Sequence, residues 1–300
     1  MTLGLLCMSY GTARGPDDLE RYLTHIRRGR PPSEELLHEM RRRYDAIGGR
    51  SPLIEITEQQ VGSLEALLRD RDVRAYHGMK HQSPYLEDIV QRMATDGIER
   101  AVGLVLAPQY SRFSVGQYVE RVEKAAADAG RPAFTFVESF ATHPAFVEFV
   151  AGRVQDALAE LPGAHVLFSA HSLPARILES GDPYPRELAD TADAVAVRLG
   201  LTEYGIAWQS AGRTGEEWLG PDLSGEIRRL AERGVRAIVS CPVGFVSDHL
   251  EVLYDVDIEG KGAADHARVG FVRTASPNAD PAFMSALAHV VRDHLDKERT

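Results

Sequence analysis

Short apolar runs alternate with amphipathic helical segments along the whole chain, and this alternation constrains the fold more than any other feature. Apolar runs at 4–9, 74–79, 101–107 and 133–138 have the length of strands, and a second series follows at 165–170, 204–209, 235–241 and 268–274. Between them, apolar residues recur at three- and four-residue spacing, which predicts helices near 17–29, 33–47, 57–69, 84–96, 115–129, 144–161, 185–199, 222–233, 247–255 and 280–296. Strands separated by helices of this length form βαβ units and parallel sheets. The expected fold class is α/β, with two similar doubly wound lobes. Each is a four-stranded parallel sheet flanked by helices, and a cleft lies between them. Residues 1–150 would form an N-terminal Rossmann-like lobe and 151–300 a C-terminal one. A weak internal repeat supports the pairing: in each half a glycine and a strand lead to a proline, Gly97 to Ala107-Pro108 and Gly234 to Cys241-Pro242. Local signals mark some helix ends. Ser33 after Pro31-Pro32 reads as an N-cap, Gly48-Gly49 as a stop, and Thr57-Glu58-Gln59-Gln60 as a capping box before Val61 and Leu64.

Two of these strands end alike. Gly4 to Ser9 runs into Tyr10 and the turn Gly11-Thr12, while His165 to Ala170 runs into His171 and Ser172-Leu173-Pro174. In open α/β sheets ligands bind beyond the carboxyl ends of strands, so Tyr10 and His171 stand where chemistry is expected.

Composition narrows the function. A net charge of −10 over 300 residues disfavours nucleic acid as a partner. No apolar run approaches the roughly 18 residues of a membrane-spanning helix. The N-terminal run has strand length and no basic region before it, so a signal peptide is not expected and a cytoplasmic location is. Cys7 and Cys241 both fall in predicted strands and read as buried thiols; two cysteines cannot supply the four thiolates of a usual iron–sulfur cluster. Charge is unevenly spread. Residues 1–50 carry nine arginines and seven acids, leaving −12 to the rest of the chain. The clusters Arg27-Arg28-Gly29-Arg30 and Arg41-Arg42-Arg43 are either a solvated face or a site for a polycarboxylate or phosphate, which guanidinium forks match in a bidentate way.

Two elements could carry chemistry. His171 offers an imidazole that can ligate a divalent metal or accept a proton near neutral pH. The stretch Pro242 to Glu259 follows another strand. As a helix it would align Asp248, Glu251, Asp255 and Glu259 on one face, either a solvated surface or a file of oxygen ligands that leads a cation toward His171. No G-x-G-x-x-G, P-loop or H-E-x-x-H pattern is present, so nucleotide-binding and zincin readings lack support.

Longer segments then carry a resemblance. Tyr10-Gly11-Thr12, Tyr22 to Arg30, Arg43 to Gly49, Ser51-Pro52-Leu53, Ser169 to Pro174, Gly181 to Tyr184, Trp208-Gln209-Ser210, Trp218 to Asp222 and Pro242 to Asp255 together resemble the ferrochelatase family. The likeness is greatest to the water-soluble coproporphyrin ferrochelatases of Gram-positive bacteria, and it runs in order over nearly the whole chain.

The resemblance implies insertion of Fe²⁺ into coproporphyrin III to give coproheme in haem biosynthesis. It implies no organic cofactor, no iron–sulfur cluster and no membrane-binding segment. His171 would take a pyrrole proton and guide the metal, with Glu251 passing the proton on. Tyr10 would face the other side of the ring, axial to the product iron. Arg27, Arg28, Arg43, Ser51 and Tyr118 would face the propionates. Asp255 and Glu259 would form an outer cation site suited to Mg²⁺, and Lys80-His81 would sit at the cleft mouth or on the surface. Arg112, where a small polar residue is expected, and Phe140, in place of a tryptophan, depart from the family pattern. A monomer that meets a downstream coproheme-processing enzyme is the family expectation. Two other readings compete: a type II chelatase for another metal or tetrapyrrole, and a non-catalytic carrier of coproporphyrin or coproheme.

Overall fold

A computed structural model describes residues 2–212 and 215–298. The first half opens with strand β1 (Leu3–Ser9), followed by helices α1 (Leu19–Ile26), α2 (Glu34–Ala46) and α3 (Leu53–Leu67). It continues with β2 (Val73–Met79), α4 (Leu86–Thr95), β3 (Arg100–Val105), α5 (Val115–Ala129) and β4 (Ala133–Val137). Helix α6 (Pro144–Glu160) crosses to β5 (His165–His171), α7 (Tyr184–Leu199), β6 (Tyr204–Gln209), α8 (Leu223–Glu232) and β7 (Ala237–Cys241). A π-helical segment (Val252–Gly260) runs into α9 (Lys261–Ala267), and β8 (Gly270–Arg273) and α10 (Pro281–Lys297) complete the chain.

The strands form two parallel four-stranded sheets, ordered β2-β1-β3-β4 and β6-β5-β7-β8. Each order maps onto the other strand for strand, so the repeat seen in the sequence is a repeat of topology. In both, the chain leaves the first strand in one direction and returns to its other side, which makes the end of β1 and the end of β5 topological switch points.

Alternation along the strands assigns each sheet two apolar faces. Leu6 and Met8 pack with Leu86, Val90 and Met93, while Leu167 and Ala207 pack with Leu223, Ile227, Val256 and Ala264. The opposite faces share one core: Leu5, Cys7 and Leu104 of the first sheet are continuous with Phe168, Val239 and Cys241 of the second through Phe146, Phe283 and Leu287. Helix α10 returns to the first half to make this joint. Phe283 lies 5.3 Å from the Phe149 ring, Arg292 donates to Asp70 and to the Leu67 carbonyl, and Arg71 pairs with Asp296 at 2.8 Å. Each fully buried Phe or Leu here contributes about 1.5–3 kcal/mol.

Two expectations are corrected. Helix α3 begins at Leu53, not at Thr57; the Thr57 hydroxyl donates back to the Leu53 carbonyl at 2.7 Å from within the helix and caps nothing. The helix expected over 247–255 begins at Leu250 and continues through the π-helical segment and α9 to Ala267. Asp248 therefore lies before the helix, and its carboxylate turns toward Ser276 and Asn278 instead of joining the row of acids. The signals at Ser33 and Gly48-Gly49 hold: Ser33 Oγ accepts from Leu36 N, and both glycines have positive φ.

Candidate active site

The turn after β1 is shaped by what surrounds it. Gly11 has φ +90°, and a Cβ there would come within 2.8 Å of the Gln82 Cβ, so only glycine fits. Tyr22 Oη donates to the Gly11 carbonyl, and the Tyr44 hydroxyl bonds Thr12 Oγ1 at 2.7 Å. Tyr10, 44 % exposed, is thereby turned outward at the strand end, against the His81 ring at 4.6 Å.

The turn after β5 is held as firmly. His171 Nδ1 donates to the Ser172 carbonyl, and the His171 carbonyl accepts from Tyr184 Oη at 3.0 Å. A carbonyl can only accept, so Nδ1 carries the hydrogen and Nε2 is left for the site. Gly244 lets the following turn press on β5: a Cβ would meet Ala170 Cβ at 2.4 Å, and Gly244 N donates to the Ser169 carbonyl. This close approach delivers His249 and Glu251 beside His171.

Glu251 sits between two imidazoles. Its Oε1 is 3.5 Å from His171 Nε2, and its Oε2 is 3.4 Å from His249 Nε2. His249 Nδ1 also donates to a carbonyl, that of Ser247 at 3.0 Å, so both rings direct Nε2 at the carboxylate. A proton on the facing nitrogen turns lone-pair repulsion into attraction. Burial pushes the His171 imidazole down, but the Glu251 charge, its hydrogen bond and the Ser172 carbonyl outweigh it and hold the group above its ordinary value. Burial likewise raises Glu251, and the facing His171 and His249 more than reverse it, holding the carboxyl well below the usual range. Desolvation of its phenol end, although the residue as a whole is 44 % exposed, and then the Glu251 charge push Tyr10 up from its ordinary value.

A second cluster lies further along the helix. Asp255 Oδ1 accepts from Arg43 Nη1 at 2.9 Å, and Glu259 is 3.8 Å from the same guanidinium, which also covers the Tyr254 ring at 4.6 Å. Ser210, held at φ +61°, donates to the other Asp255 oxygen. Burial pushes Asp255 up to about 6, the Glu251 and Glu259 charges adding to it against the pull of Ser210 and Arg43.

The remaining expected residues fall in the first half. Tyr118 is buried beneath Lys80, whose Nζ lies 4.8 Å from its ring centroid and 6.0 Å from that of Tyr10. Lys80 is only 7 % exposed, so it is not a surface residue; burial, with Arg121 and Arg28 nearby, pushes it down to about 8. Arg27 and Arg28 are exposed at the end of α1, and Arg28 has a left-handed φ of +55°. Ser51 is buried and its Oγ accepts from Leu53 N. Thus His171 with Glu251, and Arg43 with Asp255 and Glu259, form two linked clusters, whereas Arg27 and Ser51 join neither. Cys7 and Cys241 are buried, and desolvation pushes both thiols up to about 12. Among the described residues, no group of three or more His, Cys, Asp or Glu side chains is gathered as a metal cage.

Two parallel four-stranded sheets of matching strand order define a class. The solved structure of SirB from Bacillus subtilis with Fe³⁺ superposes with a TM-score of 0.61 at 13 % identity, covering 98 % of this chain and 95 % of that one. CbiX, described as the terminal enzyme for biosynthesis of siroheme in denitrifying bacteria, superposes at 0.56 and also 13 % identity, over 98 % of this chain and 99 % of its own. The fold is that of the type II chelatases. The family model for ferrochelatase matches residues 2–295, and the chain belongs to the ferrochelatase family. Curated relatives include the coproporphyrin III ferrochelatases of Anoxybacillus flavithermus, 51 % identical over 99 % of this chain and 97 % of its own, and of Bacillus subtilis, 46 % identical over 98 % of each.

Sequence reasoning missed His249 and Ser210 as members of these clusters. His249 is adjacent to the acid row, but only the turn at Gly244 brings its ring to Glu251. Ser210 lies in the family-like Trp208-Gln209-Ser210 segment, and its contact with Asp255 spans 45 residues.

Proposed function

We propose that this protein inserts ferrous iron into coproporphyrin III to form coproheme. Relatives of near-identical length carry that activity in their names, and the observation that carries the chemistry is the His171–Glu251 pair at the end of β5.

Insertion exchanges two pyrrole N–H protons for one Fe²⁺. Once His171 Nε2 has passed its own proton to Glu251, the imidazole, held by its Nδ1 hydrogen bond, is a suitable acceptor for each pyrrole proton in turn. Glu251 relays the proton away, and its second oxygen offers His249 as an onward route. The same nitrogen and carboxylate oxygen can replace water on Fe²⁺ before the ring nitrogens take over, imidazole and carboxylate both being ordinary ligands for that ion. Tyr10, opposite, is assigned the axial position on the product iron. Arg27, Arg28, Arg43, Ser51 and Tyr118 are assigned to the propionates, of which coproporphyrin III has four and protoporphyrin IX two; the exposed positions of Arg27 and Arg28 suit that task. Asp255 and Glu259 supply the hard oxygen donors that Mg²⁺ prefers, and a cation there would share or displace Arg43.

The proposal requires no organic cofactor and no iron–sulfur cluster. It envisages a cytoplasmic monomer that hands coproheme to the enzyme processing it, with no role for nucleic acid. No helix among the described residues is long and apolar enough to cross a membrane.

His171→Ala separates an enzyme from a carrier. Insertion of Fe²⁺ should fall by at least about 100-fold, while quenching of porphyrin fluorescence still reports binding within a fewfold of wild type. A variant that matches wild-type insertion would remove His171 from the chemistry, and a wild-type protein that binds coproporphyrin without metallating it would make the protein a carrier.

A further inference from the structure

Asp248 is the one acid of the expected row that the metal chemistry does not use, and it is the most elaborately bonded. Its backbone N donates to Asn278 Oδ1 at 2.7 Å, and Asn278 Nδ2 donates back to Asp248 Oδ2 at 2.8 Å. Ser276 Oγ donates to Oδ1 at 2.7 Å, with Arg273 3.3 Å from the same oxygen. Arg273 then forks onto Asp257, through Nε at 2.6 Å and Nη2 at 3.1 Å. The strap from Arg273 to Asn278 therefore grips the chain at Asp248 and again at Asp257, and Glu251 and Asp255 lie between the two grips.

The other half of the molecule meets the same point. Gln60 of α3, fully buried, directs Nε2 at the Val246 carbonyl (3.1 Å), Ser247 Oγ (3.1 Å) and the Asn278 carbonyl (2.8 Å). Three acceptors share two hydrogens, and Gln60 Oε1 has no partner of its own among the described residues. Asn278 is itself held at φ +47°, a conformation asparagine tolerates better than most residues. An unsatisfied buried oxygen and a left-handed residue are both costly, and both belong to residues one hydrogen bond from the 246–248 turn that leads to Glu251.

We propose that Asn278, acting through Asp248 and braced by Gln60, is a positioning residue that fixes Glu251 between His171 and His249. This rests on the proposed iron insertion and deepens it. A carboxylate that must serve two rings at 3.4 and 3.5 Å has little room to drift, and displacement of about 1 Å can cost 100-fold in rate. The Asp248–Asn278 pair touches neither the porphyrin-facing residues nor the metal ligands, so its loss should affect turnover and leave substrate binding alone.

The test uses wild type, Asn278→Gly, Asn278→Asp and the double variant D248N/N278D. Glycine retains the left-handed backbone and removes only the amide. Aspartate sets two carboxylates against each other, and the double variant restores one donor facing one acceptor. For Asn278→Gly, kcat should fall about tenfold, with KM and fluorescence-measured Kd for coproporphyrin III within twofold of wild type. Amide hydrogen exchange should quicken at 246–252 and not elsewhere. Asn278→Asp should lose at least as much, and D248N/N278D should recover to within about threefold of wild type, the coupling a double-mutant cycle reads. Wild-type kcat in a folded Asn278→Gly protein, a loss confined to KM, or failure of the double variant to rescue would each overturn the inference. If Asn278→Gly exchanges globally and is unfolded, the comparison of Asn278→Asp with the double variant decides. A wild-type protein that inserts no iron would instead refute the proposed function, and this inference with it.

Discussion

Replacing Glu251 by Gln keeps the shape of the side chain and removes its charge, which isolates the electrostatic part of the site. Two unit charges 3.5 Å apart interact by about 5 kcal/mol at an effective dielectric constant near 20. Both side chains are about a third exposed, at 32 % and 36 %, and solvent screening roughly halves that figure. Losing that attraction removes the largest influence holding His171 above its ordinary value, so its pKa falls. The kinetic effect is larger, because the proton acceptor beyond the imidazole is gone as well. General acid–base groups contribute about 10²–10⁴ in rate, so Fe²⁺ insertion should fall by at least 100-fold. Nitrogen-15 NMR of labelled histidines, titrated in the absence of metal, measures the first quantity, and stopped-flow absorbance under argon measures the second. Turnover within tenfold of wild type, or an imidazole at position 171 that titrates unchanged, would refute the coupling of the pair.

Other consequences follow from burial. Asp255 sits at about 6, above its unfolded value near 4, so its burial lowers stability as pH rises between those values, by up to about 3 kcal/mol at neutral pH. Asp255→Asn should therefore gain about 2 kcal/mol in urea unfolding at pH 7.5 and nothing at pH 3.5, and a neutral-pH loss of stability would refute that reasoning. His77, bonded to Ser9 at 2.9 Å, is pushed down to about 4 by burial and by Arg14. The unfolded imidazole protonates near 6.5, so stability present above that pH drains away as pH falls toward 4, by about 3 kcal/mol. His77→Gln should flatten the stability profile in that window, as chemical denaturation at half-unit pH steps would record.

The architecture was legible because it depends on period and order. Runs such as Leu5–Met8 and Val166–Ala170 have strand length within a strand–helix alternation, and the matched endings at Tyr10 and His171 placed both residues at strand ends, where the structure has them. Glu251 and Asp255 were legible as a spacing. What the spacing could not convey was the departure at Asp248, because its partners Ser276 and Asn278 lie about 30 residues away and the helix begins at Leu250. A regular helical period also hid the π-helical segment, whose wider turn no pattern of apolar residues announces. The early start of α3 was missed because Thr57 has the composition of a cap, and only its hydrogen bond to Leu53 reveals an interior residue. His249 is silent in sequence because its role comes from the Gly244 turn, which depends on close contact with Ala170.

The most direct test of the account is anaerobic Fe²⁺ insertion followed by absorbance, with coproporphyrin III and protoporphyrin IX in parallel at matched concentrations. Rapid metallation of coproporphyrin, with protoporphyrin slower by at least about tenfold (roughly 1.4 kcal/mol in transition-state binding), is the expected result. Equal or faster metallation of protoporphyrin would contradict the assignment of the arginine-rich α1–α2 region to four propionates, and binding of either porphyrin without metallation would contradict the account as a whole.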